Sequence, residues 1–416
     1  MFRSFFPHPK WFFLSAVAWC GLAMFVWFGL GFETWQPGLD WAAQYTPTAV
    51  EGERPPFLKP EKLWVYLYIL GCGFIFPLLW IVHGRNGWYR WAVVGTTVIV
   101  VVSYFTVQVS VFMNDWYGGF YDLIQRALSE PGSIEASAYW SQLATVLPVL
   151  MVNISVLVVV SFFTKHYLFR WRTAMSNYYM HYWPRLRTVE GAAQRVQEDT
   201  QRFARIMESL GEGLIDAVMT LIAFLPLLME LSERVPALPF FGEVENSLLY
   251  VAIGSALFGT VLMALVGIKL PGLEFNNQKV EASFRKELVY GEDSAERCEP
   301  PTVSELYHAL RKNYFRLYFH YLYFGVFRYG YLQFSNFLTL IALGPTIIAG
   351  TVTFGFFQQV SQAFGKVEGS LQYLANAWPT IIDLISIHKR LALFESHIAN
   401  EPVPQRSDWI YDFSRK

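Results

Sequence analysis

The chain has 416 residues and a formal net charge of −1, and 54% of its residues are hydrophobic but only 16% are charged. Soluble domains carry about 25% charged residues, so this composition argues against an ordinary soluble enzyme. Aromatic residues make up 18% of the chain, which excludes a disordered protein. Because there is no basic excess, we expect no nucleic-acid partner. The composition therefore predicts an all-α protein that crosses a lipid bilayer several times.

Apolar stretches long enough to cross a bilayer recur along the chain, since a transmembrane helix needs about 20 mostly apolar residues. The first extends from Phe12 to Leu30, so we expect a retained helix and not a cleaved signal peptide. The helix breaker Gly344-Pro345 separates the last two, and seven spans are the alternative if one kinked helix passes through it. We predict eight spans: 12–31, 63–83, 91–113, 139–167, 208–232, 247–270, 318–342 and 344–364.

Basic residues concentrate in alternate loops, and the positive-inside rule places such loops in the cytoplasm. The segment after the fourth span is the richest in them, and the intervening loops are acidic. Eight spans then place both termini in the cytoplasm, whereas seven would put the basic residues near the C-terminus on the opposite side. The basic residues after the fourth span are Lys165, Arg170, Arg172, Arg185, Arg187, Arg195, Arg202 and Arg205.

Hydropathy divides the chain into three parts. Residues 1–90 hold two predicted helices and a polar loop, 32–62; residues 91–395 form the main membrane core; and residues 396–416 form a cytoplasmic tail. Within the core, two amphipathic segments, 165–207 and 271–317, each exceed 40 residues on the predicted cytoplasmic side. Helices that extend so far beyond a bilayer suggest the transmembrane fold of an ABC exporter, although a fold alone does not determine function.

Such an exporter needs a nucleotide-binding domain, which the sequence does not predict. The phosphate-loop pattern G-x-x-x-x-G-K-[ST] is absent, and about 50 residues follow the last predicted span, too few for an ATPase domain. Either a separate chain supplies an ATPase or transport uses another source of energy. There is no H-E-x-x-H or G-x-S-x-G motif and the three cysteines are far apart, so we expect neither an enzyme nor a metal site.

Four segments carry a specific resemblance. Phe169 to Phe203 has the sequence FRWRTAMSNYYMHYWPRLRTVEGAAQRVQEDTQRF, and Gly267 to Asp293 has the sequence GIKLPGLEFNNQKVEASFRKELVYGED. FFPHPKWFFLSAVAW lies near the N-terminus, and NDWYGGFYDLIQRAL occupies 114–128. Together these segments resemble the SbmA/BacA family of bacterial inner-membrane peptide transporters over nearly the whole chain, except for loop 32–62 and the tail after residue 395.

The resemblance implies an ABC-exporter-like membrane fold without a nucleotide-binding domain, assembled as a homodimer. It implies import of antimicrobial peptides, proline-rich peptides and peptide-derived antibiotics from the periplasm, driven by the proton gradient and without a cofactor. The implied partners are these peptides and the lipid bilayer, with no ATPase subunit. The alternative is the membrane subunit of an ABC transporter whose ATPase is encoded separately. EGAAQRVQED also resembles the peroxisomal-type ABC half-transporters, which fits a common membrane architecture.

Glutamates in the two amphipathic segments form rows on helix surfaces. At about 100° per residue, Glu281 and Glu292 fall within roughly 20° of each other, and Glu274 falls within roughly 20° of Glu281. Glu190 and Glu208 are eighteen residues apart, which is five full turns, and therefore share a face. Periodicity alone favours solvated charges on cytoplasmic helix extensions.

The resemblance implies that a row of glutamates lines the transport cavity and carries protons. A carboxylate that alternates between water and a less polar cavity binds a proton on one side and releases it on the other. Arg285, four residues after Glu281, is placed to pair with it. The glutamates implied in proton coupling are Glu198 in QED, Glu208, Glu281 in KVEAS and Glu292 in YGED.

The segment from Tyr314 to Phe334 contains eleven aromatic residues in 21 positions. Both lipid-facing packing and an aromatic cavity wall explain such a segment. The matching motifs favour two other tyrosines for the substrate cavity, Tyr121 in GGFYD and Tyr290 in LVYGED.

Polar residues of the matching motifs are also expected to function. We expect Gln194 and Arg195, in AAQRVQED, to line the cavity and support the glutamates by hydrogen bonding. Arg328 lies within a predicted span, where a structural salt bridge and a substrate contact are the alternatives. For Arg390, in IHKR, the alternatives are a dimer contact, membrane-surface binding and an exposed cytoplasmic charge.

Overall fold

The structure is a computed structural model that describes residues 1–32, 60–82, 87–189, 191–235, 237–239, 242–294 and 298–399. Helices account for most of these residues, and the β-structure among them is a two-residue antiparallel pair, β1 (Ala237–Leu238) with β2 (Gly242–Glu243). The prediction of an all-α polytopic membrane protein is confirmed.

The helices are numbered in chain order. The first half contains α1 (Pro9–Met24), α2 (Pro60–Ile81), α3 (Gly87–Ser129), α4 (Ala136–His181), α5 (Trp183–Leu186), α6 (Ala192–Gln194) and α7 (Thr200–Ser232). The second half contains α8 (Ser247–Gly267), α9 (Leu270–Asp293), α10 (Pro300–Ile348), α11 (Phe354–Leu371), α12 (Tyr373–Asn376) and α13 (Trp378–Ser396). Two π-helical turns interrupt this series, Phe25–Gly29 after α1 and Arg195–Asp199 before α7.

Several helices are longer than a bilayer requires. Helix α10 has 49 residues, which corresponds to about 74 Å at 1.5 Å per residue, more than twice the ~30 Å hydrocarbon core of a bilayer. Helices α3 and α4 have 43 and 46 residues. Both predicted amphipathic segments, 165–207 and 271–317, are largely helical and continuous with these long elements.

Seven helical segments in the described part of the chain are long and apolar enough to cross a membrane. Each of the first seven predicted spans overlaps a different one of them, whereas the predicted eighth span, 344–364, shares only residues 344–348 with the seventh segment, so the count of eight is not confirmed. The seven segments are Pro9–Gly29, Leu63–Ile81, Gly87–Ser129, Ala136–His181, Ala192–Ser232, Ser247–Gly267 and Pro300–Ile348.

The break between the last two predicted spans lies later than expected. Helix α10 passes through Gly344-Pro345 and ends at Ile348, so the predicted break at these residues is wrong. Proline is tolerated inside membrane helices, where neighbouring groups satisfy the freed carbonyl. The chain turns instead at Gly350, whose φ of +68° is left-handed, and the Thr353 side chain caps α11 by accepting from the Phe356 N–H at 3.2 Å.

Helix packing divides the chain into two compact units, Met1–Ala223 with Asp383–Lys416 (unit 1) and Phe224–Ile382 (unit 2). The core of unit 1 is aromatic. The Phe5 ring stacks on Trp171 with centroids 5.8 Å apart, and Phe203 packs edge-on against Trp171 at 5.3 Å. Aromatic burial on this scale supplies much of the packing free energy of a core. Tyr179 and Phe394 are also fully buried here.

Unit 2 has an aliphatic and aromatic core with a polar contact at the β-turn region. Leu228, Leu248 and Phe364 are fully buried in it. The Ser247 hydroxyl donates to the Val235 carbonyl at 2.8 Å, and the Leu248 N–H donates to the Ser232 hydroxyl at 3.1 Å, so the start of α8 is capped. These units follow helix packing, and the predicted division at residues 90 and 395 stays a prediction.

Candidate functional site

The QED motif lies on the π-helical turn Arg195–Asp199. Its two carboxylates have different surroundings. Asp199 is buried and accepts two hydrogen bonds from Arg390, from Nη2 at 3.0 Å and from Nε at 3.2 Å. Glu198 is exposed and accepts a hydrogen bond from the Gln194 amide at 3.1 Å. The turn therefore fixes Asp199 internally and leaves Glu198 open to water.

A second ion pair binds α13 to the same region. Arg202 Nη2 contacts both carboxylate oxygens of Asp383, at 3.1 and 3.2 Å. Farther along α13, the Tyr179 hydroxyl donates to Glu395 at 2.7 Å. Helix α13 therefore holds the Glu198 turn by paired charges, and Arg390 is one of the residues that do so.

Glu208 is half-buried on α7, and Glu212 follows it by one helical turn. Glu208 and Lys165 both lie close enough to Glu212 to interact with it electrostatically. Glu212 was not predicted as a site residue, although its spacing of four from Glu208 places both on one face. Glu190 lies outside the described residues, so its predicted alignment with Glu208 stays a prediction.

The second acidic row faces tyrosines across the hairpin of α9 and α10. The Tyr314 hydroxyl donates to Glu281 Oε2 over a long 3.4 Å, and Glu274 lies close enough to Tyr321 to interact with it electrostatically. The two glutamates are seven residues apart on α9 and the two tyrosines seven apart on α10. Seven residues correspond to about two helical turns. In an antiparallel hairpin this equal spacing places Glu281 opposite Tyr314 and Glu274 opposite Tyr321.

The remaining predicted residues of α9 are on its exposed surface. Glu292 is exposed, and so is Arg285, which forms no ion pair with Glu281 within the described part of the chain. The expected pair between Arg285 and Glu281 is therefore wrong, and a phenol takes the place of the guanidinium. Tyr290 is exposed, and the Lys286 ammonium lies 5.5 Å from the centre of its ring.

The C-terminal end of α9, which carries the YGED motif, is tightly packed against Cys298. The Cys298 N–H donates to the Glu287 carboxylate at 3.3 Å, and its thiol donates to the Glu287 carbonyl at 3.0 Å. A Cβ atom on Gly291 would lie 2.2 Å from the Cys298 sulfur, so only glycine fits at this position. These contacts hold Cys298 against the last turns of α9, next to Glu292.

Tyr121 lies apart from these glutamates in sequence and packs within α3. It is half-buried, and its ring stacks on that of Tyr117 with centroids 5.9 Å apart. Arg195 is half-buried in the π-helical turn, and Arg328 is exposed midway along α10. Within the described ranges no group of three or more histidine, cysteine or acidic side chains is arranged to hold a metal ion.

Unit 1 also contains an apolar cavity of about 370 Å³ that the sequence did not predict. Aromatic side chains of α1, the π-helical turn after it, α2 and α3 line it, and the polar residues Thr96, Thr97 and Gln108 also border it. None of the predicted cavity residues borders this space. The aromatic residues are Trp19, Trp27, Phe28, Tyr68, Phe76 and Tyr104.

The structure thus places Glu198, Glu208, Gln194, Arg195 and Arg390 in unit 1. It places Glu281, Glu292, Tyr290 and Arg328 in unit 2. Of the four predicted glutamates, Glu198, Glu281 and Glu292 are exposed. Glu198 and Glu281 each accept a hydrogen bond from a neutral side chain, an amide and a phenol respectively.

The model of the SbmA/BacA-like family matches residues 85–399 of the chain. The inner membrane ABC transporter ATP-binding protein YddA of Escherichia coli is 25% identical over 333 residues, 74% of this chain and 57% of the relative. An uncharacterized ABC transporter ATP-binding protein of Synechocystis is 26% identical over 239 residues, 56% of this chain and 34% of the relative.

A plant protein is also similar. The chloroplastic ABC transporter D family member 2 of Arabidopsis thaliana is 23% identical over 266 residues, which cover 60% of this chain and 36% of the relative. The chain therefore spans between one third and just over half of the length of these relatives.

Proposed function

Because the chain belongs to the SbmA/BacA-like family of membrane transporters, we propose that it imports peptides across the bacterial inner membrane, driven by the proton gradient. The proposed substrates are antimicrobial and proline-rich peptides and peptide-derived antibiotics, which pass from the periplasm to the cytoplasm. The proposed active form is a homodimer with no ATPase subunit and with both termini in the cytoplasm.

One observation carries the proton coupling. Four carboxylates in and around these motifs fall into two classes, two paired with arginine and two paired with neutral donors. Asp199 and Asp383 are neutralised by Arg390 and Arg202, whereas Glu198 and Glu281 accept from an amide and a phenol. A carboxylate with a neutral donor can take up a proton without leaving an unpaired cation behind. Reversible protonation is therefore assigned to the glutamates.

The proposed cycle uses these glutamates as proton carriers. Protons from the periplasmic side bind to Glu198, Glu208, Glu281 and Glu292 while a peptide occupies the cavity. Neutralising the rows removes the mutual repulsion of their charges, which favours a different packing of the helices that carry them. Release of the protons to the cytoplasm restores the charges and resets the transporter.

Tyr121, Tyr290, Gln194 and Arg195 are proposed to contact the peptide. Aromatic rings suit proline-rich substrates because such segments dock on aromatic grooves in a preformed extended conformation. Arg195 and the exposed Arg328 would attract the C-terminal carboxylate or acidic side chains of a peptide. Such a surface accepts many sequences, because it supplies stacking and charge and no side-chain-specific pocket.

Both termini in the cytoplasm require an even number of crossings, so the proposal needs one span beyond the seven apolar helices. We assign this span to α11, whose 18 residues measure about 27 Å. Cysteines introduced singly at Thr351 and at Ser370 test this point. Labelling by a membrane-impermeant reagent from opposite sides supports a crossing, and labelling from one side refutes it.

The central experiment measures uptake of a labelled proline-rich peptide by the purified chain in liposomes that contain no ATP. We expect uptake when the outside is made acidic and none when a protonophore abolishes the gradient. Glu281→Gln and Glu292→Gln should abolish gradient-driven uptake while the dimer still assembles. Glu305→Gln is the matched control, because Glu305 is exposed on α10 in the same hairpin. Wild-type rates from both row variants would refute the coupling role.

The membrane subunit of an ABC transporter with a separate ATPase is the second candidate function. It is favoured by the curated relatives, whose names describe ABC transporter ATP-binding proteins. Co-purification of an ATPase from the native membrane and vanadate-sensitive uptake would support it. Uptake by the purified chain without ATP would exclude it.

A further inference from the structure

One glutamate lies outside both acidic rows and is buried. Glu368, on α11 in unit 2, has only 6% of its surface exposed. A carboxylate that is removed from water loses a large hydration energy, so it needs strong compensation in the folded protein. In the sequence, Glu368 is the single acidic residue of the segment FGKVEGSLQYL, which is otherwise weakly charged.

The compensation comes from hydroxyl groups on two neighbouring helices. Glu368 Oε1 accepts hydrogen bonds from the Ser255 hydroxyl of α8 and from the Tyr331 hydroxyl of α10, the latter at 3.0 Å. Glu368 Oε2 accepts from the Ser335 hydroxyl of α10. The Gln372 amide, which follows α11, donates to the Tyr331 oxygen. Tyr331, Ser335 and Gln372 are themselves buried, so this is a closed network among three helices.

In the part of the chain that the structure describes, the partners of this carboxylate are hydroxyl groups, and no positive charge faces it. Helix α8 contains no charged residue and α12 contains none. The nearest basic residues along α10 and α11 are Arg328 and Lys366, and both are exposed. Arg234 packs against the Phe356 ring, twelve residues and about 18 Å along α11 from Glu368. Tyr331 is the other titratable group in the network.

The close approach that builds the network depends on one glycine. A Cβ atom on Gly259 of α8 would lie 2.2 Å from Cζ of the Tyr331 ring. With glycine there, the Tyr331 hydroxyl reaches both Glu368 and the Ser255 carbonyl, which is 2.9 Å away. The phenol has one proton to donate and lone pairs to accept, so it can serve as either donor or acceptor in this position.

Hydroxyl partners give this site a property that an arginine partner would remove. An ionised Glu368 accepts from all three hydroxyls. After it binds a proton, one hydroxyl rotates to accept from the new carboxylic O–H, and the other two still donate. Both protonation states are therefore satisfied without moving a charged side chain. The same change at Asp199 would leave Arg390 without its counter-charge.

We propose that Glu368 is a proton-binding site of the transporter, additional to the glutamate rows and enclosed between α8, α10 and α11. A proton from water adds to one carboxylate oxygen to give the neutral acid, and it returns to water when the site reopens. The inference rests on the proposed proton-driven function, because it assigns a further carrier to the same cycle. The ligand of the site is the proton, and the hydroxyls are positioning groups.

Infrared difference spectroscopy tests the proton site directly. The purified full-length chain in lipid bilayers is titrated without peptide and without a gradient, and the C=O stretching band of protonated carboxylic acids is followed. We expect a band that disappears as the pH rises, that is absent from Glu368→Gln and that is retained in Glu305→Gln. A Glu368→Gln spectrum identical to wild type would overturn the proposal.

A second variant keeps the test decisive if Glu368→Gln does not fold. Ser335→Ala retains the carboxylate and removes one donor to it, so the frequency of the band should shift because its hydrogen bonding changes. No shift would overturn the assignment. In liposomes, Glu368→Gln should lose at least about tenfold in gradient-driven uptake, which corresponds to about 1.4 kcal/mol. Wild-type uptake by this variant would remove Glu368 from the transport cycle.

The two proposals fail in different ways. Wild-type uptake that does not depend on the pH gradient refutes the proposed function, whatever the spectrum shows. Gradient-driven wild-type uptake with no Glu368 band refutes only the additional proton site.

Discussion

The ion pair between Asp199 and Arg390 joins α13 to the turn that carries Glu198. Replacing Asp199 by asparagine and Arg390 by alanine, singly and together, measures the coupling free energy of this pair. Asp199 has 5% of its side chain exposed and Arg390 has 39%. Two unit charges about 4 Å apart attract by about 4 kcal/mol at the effective dielectric near a protein surface, whereas fully exposed pairs contribute up to about 1 kcal/mol. One buried and one half-exposed partner lie between these limits, so we expect a coupling of about 2 kcal/mol.

The order of the variants follows from which charge is left alone. Arg390→Ala leaves a buried carboxylate without compensation and should cost about 3 kcal/mol. Asp199→Asn leaves a guanidinium that can turn toward water and should cost less. The double variant should therefore be more stable than Arg390→Ala alone, because it no longer buries an unpaired charge.

The assay is the apparent melting temperature of the purified protein, taken from the fraction that remains monodisperse after heating. A coupling of 2 kcal/mol corresponds to roughly 4–8 °C for a unit of this size. Arg202 and Asp383 are the matched control pair, because their side chains are 43% and 33% exposed and their coupling should be about 1 kcal/mol or less. Additive effects at Asp199 and Arg390, or equal couplings for the two pairs, would refute the reasoning.

Two further substitutions test the packing. Gly291→Ala places a Cβ 2.2 Å from the Cys298 sulfur and should destabilise the hairpin by about 1–3 kcal/mol. The control is Gly272→Ala on the same helix, whose Cβ meets no atom within 4 Å and should not destabilise the protein. Equal melting temperatures of the two variants would contradict this expectation. Phe203→Ala leaves a cavity at a fully buried position and should lower the free energy of unfolding by about 3–5 kcal/mol. Phe169→Ala, at a site 62% exposed, should lower it by at most roughly 0.5 kcal/mol. Similar decreases for both variants would contradict the aromatic core.

Hydropathy predicted the membrane helices well because the length of an apolar segment is set by the bilayer. It misplaced one break because Gly344-Pro345 was taken as a helix end. Proline does not end a helix whose neighbours satisfy the freed carbonyl. The residues that end α10 and begin α11 are also visible in the sequence. Gly350 supplies the left-handed residue after α10, and Thr353 supplies the N-cap of α11.

The candidate site residues follow from motifs in the sequence, whereas their contacts do not. The glutamates were found by motif, but their partners depend on how helices pair. Tyr314 is 33 residues from Glu281 along the chain, and only the register of the α9–α10 hairpin brings them together. Glu368 was missed for a similar reason, because its hydroxyl partners come from α8 and α10 and no periodicity on α11 reveals them.

The π-helical turn explains a further limit of sequence reasoning. A helical wheel at 100° per residue assumes an unbroken α-helix, and the widened turn at Arg195–Asp199 changes the phase of everything that follows it. Angles computed at 100° per residue across this turn leave out this change of phase. Angles computed within α9 are free of this error, because α9 is continuous.

The way in which α13 completes unit 1 has a consequence for synthesis on the ribosome. Tyr179 and Asp199 contact Phe394 and Arg390, which are about 200 residues later in the chain. At 5–20 residues per second, the interval is roughly 10–40 s. During this time a charged aspartate and an aromatic surface of unit 1 are exposed. Unit 2 consists of one continuous stretch of the chain and can already fold. The nascent protein is therefore expected to be most dependent on chaperones in this interval.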